Sequence, residues 1–337
     1  MGRGPFGRGG GGRIFGPGGL RLVLLALIEE TPRHGYQLIK ELEQKFGGAY
    51  APSPGSVYPM HWRCRHRIID LTRPVVMGIL NVTPDSFSDG NRYAGVDAAL
   101  ERAARIEAEG AAIVDVGGES TRPGAAAVDE SEEIARVVPV IEGIAAASQI
   151  AISIDTRRPA VMAAAVKAGA CIVNDVYALR APGARSFAAE SQVGVCLMHM
   201  QGEPRTMQDD PRYEDVVAEV SEFLTHERDE CMRSGVTRDA IALDPGLGFG
   251  KSLAHNLTLL RSLAHFAALD SPLLVGVSRK SFIGRVLGRP VDDRLYGGLG
   301  LAALAVAEGA RIIRTHDVGA TRDAVGMVSA VLQGNEH

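Results

Sequence analysis

Polar side chains of a particular kind stand at or just inside the ends of successive short apolar runs in this chain. They are Asn81, Asp115, Asp155, Asn174, His199, Asp244, Ser278 with Lys280, and Arg314 with His316. A single aspartate after a strand is ordinarily a turn or cap residue. Eight successive runs that all end in hydrogen-bonding groups describe one polar pocket. Asp155, Asn174 and Asp244 offer acceptors and one amide, which suit a flat heterocycle rich in N–H donors, and a guanidine-like edge pairs bidentately with a carboxylate. Arg314, His316 and Lys280 supply cationic donors of the kind that hold a phosphate or pyrophosphate. Asn81, beside the acidic and hydroxyl groups of Thr83-Pro84-Asp85-Ser86, is placed to help hold Mg²⁺, which takes one or two protein oxygens plus substrate phosphates. A donor substrate with a pyrophosphate leaving group follows from these parts.

The elements that would position these groups alternate regularly from Pro74 onward. Apolar, β-branched runs at 75–80, 112–116, 150–154, 171–173, 193–198, 240–243, 273–277 and 311–314 predict strands. Amphipathic stretches between them, such as those at 96–109, 130–147, 159–168, 213–234, 254–266 and 299–307, predict helices, one after each strand. Eight such pairs read as an α/β protein with a (β/α)₈ TIM barrel, whose active site forms at the C-terminal strand ends. A doubly wound sheet fits the same strand count. Residues 63–71 predict a short antiparallel flap ahead of the first barrel strand. Gly246-Leu247-Gly248-Phe249-Gly250-Lys251-Ser252 looks like a phosphate-binding P-loop, but that pattern requires glycine where Pro245 stands. Its glycines are expected to bring backbone close to a flat ligand.

The net charge of −4 argues against general nucleic-acid or membrane-surface binding, although residues 1–60 carry +3 and the remainder −7. Cys64, Cys171, Cys196 and Cys231 lie far apart without a CxxC pair, which excludes a zinc or disulfide framework and fits a reducing cytoplasm. No apolar run approaches the ~20 residues that span a bilayer. Residues 1–19 are glycine- and arginine-rich and expected to be disordered. Residues 20–60 read as two short helices, a turn and the start of a third. The segment RHGYQLIKELEQ…SPGSVYP resembles the PadR family of winged-helix repressors. After Met60 the rest of a recognition helix, a wing and a dimerisation helix do not follow, so it is expected to be a truncated helix-turn-helix-like segment without DNA-binding function.

GILNVTPDSFSDG (78–90), DVGGESTRPGA (115–125), SIDT (153–156), VND (173–175), CLMHMQGEPRTMQ (196–208), LDPGLGFGKS (243–252), VSRKSFIG (277–284) and RTHDV (314–318) occur in order, each on a strand end. Together they resemble dihydropteroate synthase over residues 74–333. The resemblance implies a cytoplasmic, homodimeric, Mg²⁺-dependent enzyme of folate synthesis. Its substrates would be 6-hydroxymethyl-7,8-dihydropterin pyrophosphate and p-aminobenzoate, with sulfonamides as competitors. Asp115, Asp155, Asn174, Asp244 and Lys280 would hold the pterin, with Met198 packing on it. Asn81 would contact Mg²⁺, and Arg314 and His316 the pyrophosphate. Thr121, Arg122 and Ser278 would meet p-aminobenzoate, with Phe249 and Pro123 closing on its ring. Lys280, Asp155, Arg314 and His316 are the expected catalytic set, and loops 83–93 and 119–127 the expected lids. C–O cleavage would precede attack by the aniline nitrogen. Leu247 and Thr315 depart from the family's usual residues without changing a polar contact, and Tyr177 and the stretch 296–300 are expected to be packing variation. A pterin-binding methyltransferase domain and a pterin-linked transcriptional regulator are the alternative readings.

Overall fold

Strand β1 (His61–Cys64) and strand β2 (Arg67–Asp70) pair antiparallel around a turn in which Arg65 takes φ 59°. This is the expected flap. Eight further strands follow: β3 (Val75–Asn81), β4 (Ile113–Gly117), β5 (Ala151–Asp155), β6 (Ile172–Asp175), β7 (Gly194–Met198), β8 (Ile241–Asp244), β9 (Leu274–Gly276) and β10 (Ile312–Thr315). They run parallel in the order β8-β7-β6-β5-β4-β3-β10-β9. The two outer strands then meet: Leu243 bridges Leu273, and Leu243 N–H donates to Pro272 O at 2.9 Å. The sheet therefore closes into a barrel, and a doubly wound sheet is excluded. This computed structural model describes residues 61–82, 92–119, 128–203 and 206–333, with 23, 41–42 and 44–45 before them. Thr121, Arg122, Pro123, nearly all of the two expected lids and nearly all of the helix-turn-helix-like segment lie outside the described residues. The chain divides into two compact units, Met1–Val57 and Tyr58–His337, and the barrel belongs to the second.

Helices α1 (Arg92–Ala108), α2 (Glu130–Ala147), α3 (Pro159–Ala168), α4 (Ala184–Ser191) and α5 (Val216–Arg233) cover the first strands. Helices α6 (Leu253–Arg261), α7 (Leu263–Ala267), α8 (Ser281–Leu287), α9 (Leu295–Ala307) and α10 (Val318–Gln333) complete the ring. The helix expected at 254–266 breaks at Ser262, whose φ of −110° and ψ of 17° leave the helical range. α4 and α8 escape the sequence pattern because each spans only about two turns.

Successive strand residues face opposite sides, and this period places the site. Ile152 and Ile154 of β5 pack outward in the main core under the helices, while Ala151 faces the barrel interior. Met77, Ile113, Ala151, Ile172, Cys196, Ala242, Leu274 and Ile312 form an apolar layer at the N-terminal end. Two residues further along their strands come Asp115, Asn174, Met198, Asp244 and Arg314, and Asp155 comes four after Ala151. One barrel thus has an apolar bottom and a polar top.

The β1–β2 hairpin seals the bottom. Trp62, Cys64, Ile69 and Leu71 join the inner layer, and Trp62 is fully buried, its indole N–H donating to Ala240 O at 2.9 Å. All four cysteines are buried free thiols. Trp62→Ala is expected to cost about 3–5 kcal/mol of stability through the cavity it leaves. Urea unfolding monitored by circular dichroism checks this, and an unchanged midpoint would contradict the sealing role.

Candidate active site

The register brings the polar residues together. Asn81 lies opposite Gly117, Gly117 opposite Asp155, Asp155 opposite Asn174, and Met198 opposite Asp244. Gly117 has no side chain, so Asn81 Oδ1 and Asp155 Oδ2 each come within 3.9 Å of where its Cβ would be. Across the barrel, Arg314 Nε donates to Asp115 Oδ2 and Arg314 Nη2 to Asp155 Oδ2, both at 2.6 Å. Asn174 Nδ2 donates to the same Asp115 oxygen at 3.0 Å. Asp115 is fully buried, yet its Oδ1 has no hydrogen-bond partner among the described residues. Burial pushes Asp155 up from the usual carboxylate range, against the pull of Arg314. Burial also opposes the charge on Arg314, but Asp115 and Asp155 together hold it firmly protonated.

Asp244 accepts from Gly246 N–H at 2.7 Å, and burial pushes its pKa up while Lys280, Lys251 and Arg314 hold it down. Lys280 Nζ sits 4.2 Å from the centre of the Phe249 ring, a cation–π contact. Burial draws the Lys280 ammonium down to about 8, with Asp244 opposing. Two neighbours place it. Arg279, at φ 58°, turns the chain and pairs with Asp317 at 2.7 Å. Arg294 Nη1 then donates to Arg279 O at 3.1 Å. Ser278 Oγ lies 3.0 Å from His316 Nδ1 and accepts from His316 N–H at 3.2 Å. The site's apolar wall is Val176, Met198, Met200 and Met207, with Tyr177 and Phe249 against it.

Most of the sequence-predicted residues therefore converge, while Thr121, Arg122 and Pro123 fall outside the described residues. Three readings change. The glycines of 246–250 do not all serve a ligand: Cβ atoms at Gly246 and Gly250 would meet His199 O at 1.9 Å and Gln201 O at 2.3 Å, so these approach protein backbone. Tyr177 is more than packing, because its hydroxyl donates to Glu203 and accepts from Arg157 at 2.9 Å. Tyr296 is 83% exposed and packs on little. Arg294 and the buried residue Lys251 were not singled out, since a basic residue on a helical or loop segment looks solvent-facing.

Residues 77–316 match the model of the pterin binding enzyme family. Dihydropteroate synthase of Escherichia coli (strain K12) is 49% identical over 269 residues, covering 80% of this chain and 95% of that protein. The chain belongs to the dihydropteroate synthase family. Membership makes it a transferase of folate biosynthesis. The solved Yersinia pestis dihydropteroate synthase, in a sulfonamide drug complex, is 47% identical at TM-score 0.77, covering 81% of this chain and 100% of that one. The Xanthomonas albilineans dihydropteroate synthase in complex with 7,8-dihydropteroate is 44% identical at TM-score 0.74, covering 81% and 98%. Residues 24–65 separately match the transcriptional regulator PadR-like family, in keeping with the resemblance seen in the sequence. No helix among the described residues is long and apolar enough to cross a membrane.

Arg314 is the cation that makes the buried carboxylates tolerable. Arg314→Met is expected to lower stability by about 3–5 kcal/mol, since it strands a buried charge. Adding Asp115→Asn should recover part of the loss. Thermal unfolding of the single and double variants checks this, and strict additivity would contradict the pairing.

Proposed function

We propose that the chain joins 6-hydroxymethyl-7,8-dihydropterin pyrophosphate to p-aminobenzoate, releasing pyrophosphate and 7,8-dihydropteroate in the cytoplasm. The observation that carries the reading is the convergence of Asp115, Asp155, Asn174 and Asp244, with Asp115 Oδ1 buried and unpartnered. A pterin ring brings N–H donors and ring acceptors to such a set, and a buried carboxylate oxygen gains most from a donor when water cannot reach it. Met198 and its apolar neighbours would cover the ring face.

Arg314 then has two positions. Without substrate it bridges Asp115 and Asp155; the arriving pterin takes over those carboxylates and leaves the guanidinium for the pyrophosphate, beside His316. The C–O bond at the pterin methylene breaks with its electron pair passing to pyrophosphate, whose charge the cations stabilise. The aniline nitrogen then forms the new C–N bond and loses a proton. Phe249 and Ser278, with Thr121, Arg122 and Pro123 from the adjoining loop, would hold p-aminobenzoate, and a sulfonamide would compete for that place.

Mg²⁺ fits the donors present. Among the described residues no cluster of three or more His, Cys, Asp or Glu could hold a metal alone. Asn81 Oδ1 is one protein oxygen, which suits an ion held chiefly by substrate phosphates. Such an ion would neutralise the leaving group's charge. A homodimer is supported by Tyr296 and Leu304 on α9 and Met327, Val331 and Leu332 on α10, all exposed on adjacent helices. Residues 1–19, 20–60 and 61–337 are taken as a tail, a truncated PadR-like passenger and the enzyme.

Purified full-length chain and a chain beginning at His61 should both form dihydropteroate and pyrophosphate with Mg²⁺ at comparable rates. Inactivity of both would reject the reaction. Asp155→Ala and Lys280→Ala should each lower kcat/KM by about 100-fold or more, the loss expected for a group positioned at charge development, with folding intact by circular dichroism. Lys280 adds a pH dependence. Its folded pKa near 8 lies below the ordinary lysine value of 10.5, so its ammonium is lost as pH rises through about 8 and kcat/KM should fall there. Lys280→Arg should remove that alkaline limb, and a limb retained in the variant would point to another group. In the window between those pKa values the unfolded chain binds more protons, so this lysine's contribution to stability rises with pH.

A further inference from the structure

Lys251 is a lysine at 2% exposure that makes no ion pair among the described residues. Its Nζ is surrounded by three acceptors: His199 Nδ1 at 2.9 Å, His199 O at 3.2 Å and Phe249 O at 2.9 Å. An ammonium has three donors, and here each has a partner. Burial and the neighbouring Lys251 drive the His199 imidazole down to about 2. It is therefore neutral, with Nδ1 accepting from Lys251 and the proton on Nε2. Burial lowers the ammonium to about 7 against the pull of Asp244.

The two carbonyls belong to different segments. His199 ends the β7 strand run whose Met198 walls the pocket, and Phe249 lies in the glycine loop after β8. The segments touch along their length, because Gly246 and Gly250 leave no room for a Cβ against residues 199 and 201. Further bonds fix the loop on its other sides. Gly248 N–H donates to Asn256 Oδ1 at 2.6 Å, Asn256 Nδ2 donates to Lys251 O at 3.1 Å, and Tyr213 Oη donates to Gly250 O at 2.8 Å. His199 itself is held edge-on by Phe223 at 4.8 Å. The backbone atom that Lys251 grips is the carbonyl of Phe249, the residue whose ring lies under Lys280.

We propose that Lys251 is a positioning residue: by gripping His199 and Phe249 it pins the glycine loop to the end of β7 and so sets the place of the Phe249 ring. Its kinetic consequence rests on the synthase reading, in which that ring closes on p-aminobenzoate. Its structural consequence does not. Lys251→Met keeps most of the unbranched side chain and removes every donor, leaving His199 O, His199 Nδ1 and Phe249 O without this partner.

The test measures steady-state kinetics with both substrates and hydrogen exchange over residues 246–256, on the full chain. Lys251→Met should raise KM for p-aminobenzoate about tenfold, because a small displacement of a positioning group is felt strongly at a binding site. KM for the pterin pyrophosphate should change less than about threefold on the same grounds. Exchange over 246–256 should quicken while the barrel strands stay protected, whereas a merely destabilised fold would quicken both. His199→Leu should reproduce the effect, and His199→Asn, whose amide oxygen stands near the place of Nδ1, should restore wild-type KM. If Lys251→Met does not fold, the His199 pair decides by the same readouts. Unchanged KM and unchanged loop exchange in folded Lys251→Met, or equal behaviour of His199→Leu and His199→Asn, would overturn the proposal. An inactive wild type would reject the synthase reading, and the exchange arm would still decide the pinning.

Discussion

The shared guanidinium of Arg314 is the interaction on which the barrel's open end depends. Asp115 and Asp155 come from neighbouring strands and face one interior, where burial disfavours the ionised form of Asp155. A single planar cation donates to both at 2.6 Å and is itself held protonated by them. A lysine in its place would present a point charge and could not lie flat between the two with fixed donor geometry. The same arrangement leaves Asp115 Oδ1 unpartnered, so the site is held together without being saturated. In the proposed reaction this incompleteness lets a substrate compete for the carboxylates that a fully satisfied network would refuse.

That interior exists because the bottom of the barrel is closed by other means. Trp62 and its hairpin fill the space under the inner apolar layer. The strand period then lifts every second inward residue toward the top. Stability and chemistry are divided along single strands: Ile113 serves the seal and Asp115 the pocket, Ile172 the seal and Asn174 the pocket, Ile312 the seal and Arg314 the pocket.

This division explains what could be read in advance. The eight strand runs and the residues at their ends were legible because apolar periodicity and a polar terminus are both local in sequence. Asn174 and Asp175 show the limit of that locality. They are adjacent and both acidic or amide, yet Asn174 enters the pocket while Asp175 faces away and accepts from Tyr177 and Leu179 N–H at 2.8 and 2.9 Å. Only the pleat separates a ligand contact from a turn cap. Barrel closure was not legible either, since it rests on the seam where Leu243 meets Pro272 and Leu273, far along the chain. Arg294 remained hidden, and His199, read as a pocket residue, turns out to accept from Lys251, because both roles are made by chain segments that meet only in the fold.

Lys251, buried, and Lys280, half-buried, look alike in sequence and differ in what surrounds the ammonium. Lys251 has its three donors occupied by neutral acceptors of the protein, a geometry with nothing left to give a ligand. Lys280 rests on an aromatic face, which attracts the charge without consuming its hydrogen bonds. A charge buried in the first way can only hold the fold's parts in place. A charge buried in the second way remains able to bond an incoming group, and Phe249 is common to both: its carbonyl is held by one lysine and its ring carries the other. The loop between β8 and α6 therefore joins the residue that positions to the residue that binds.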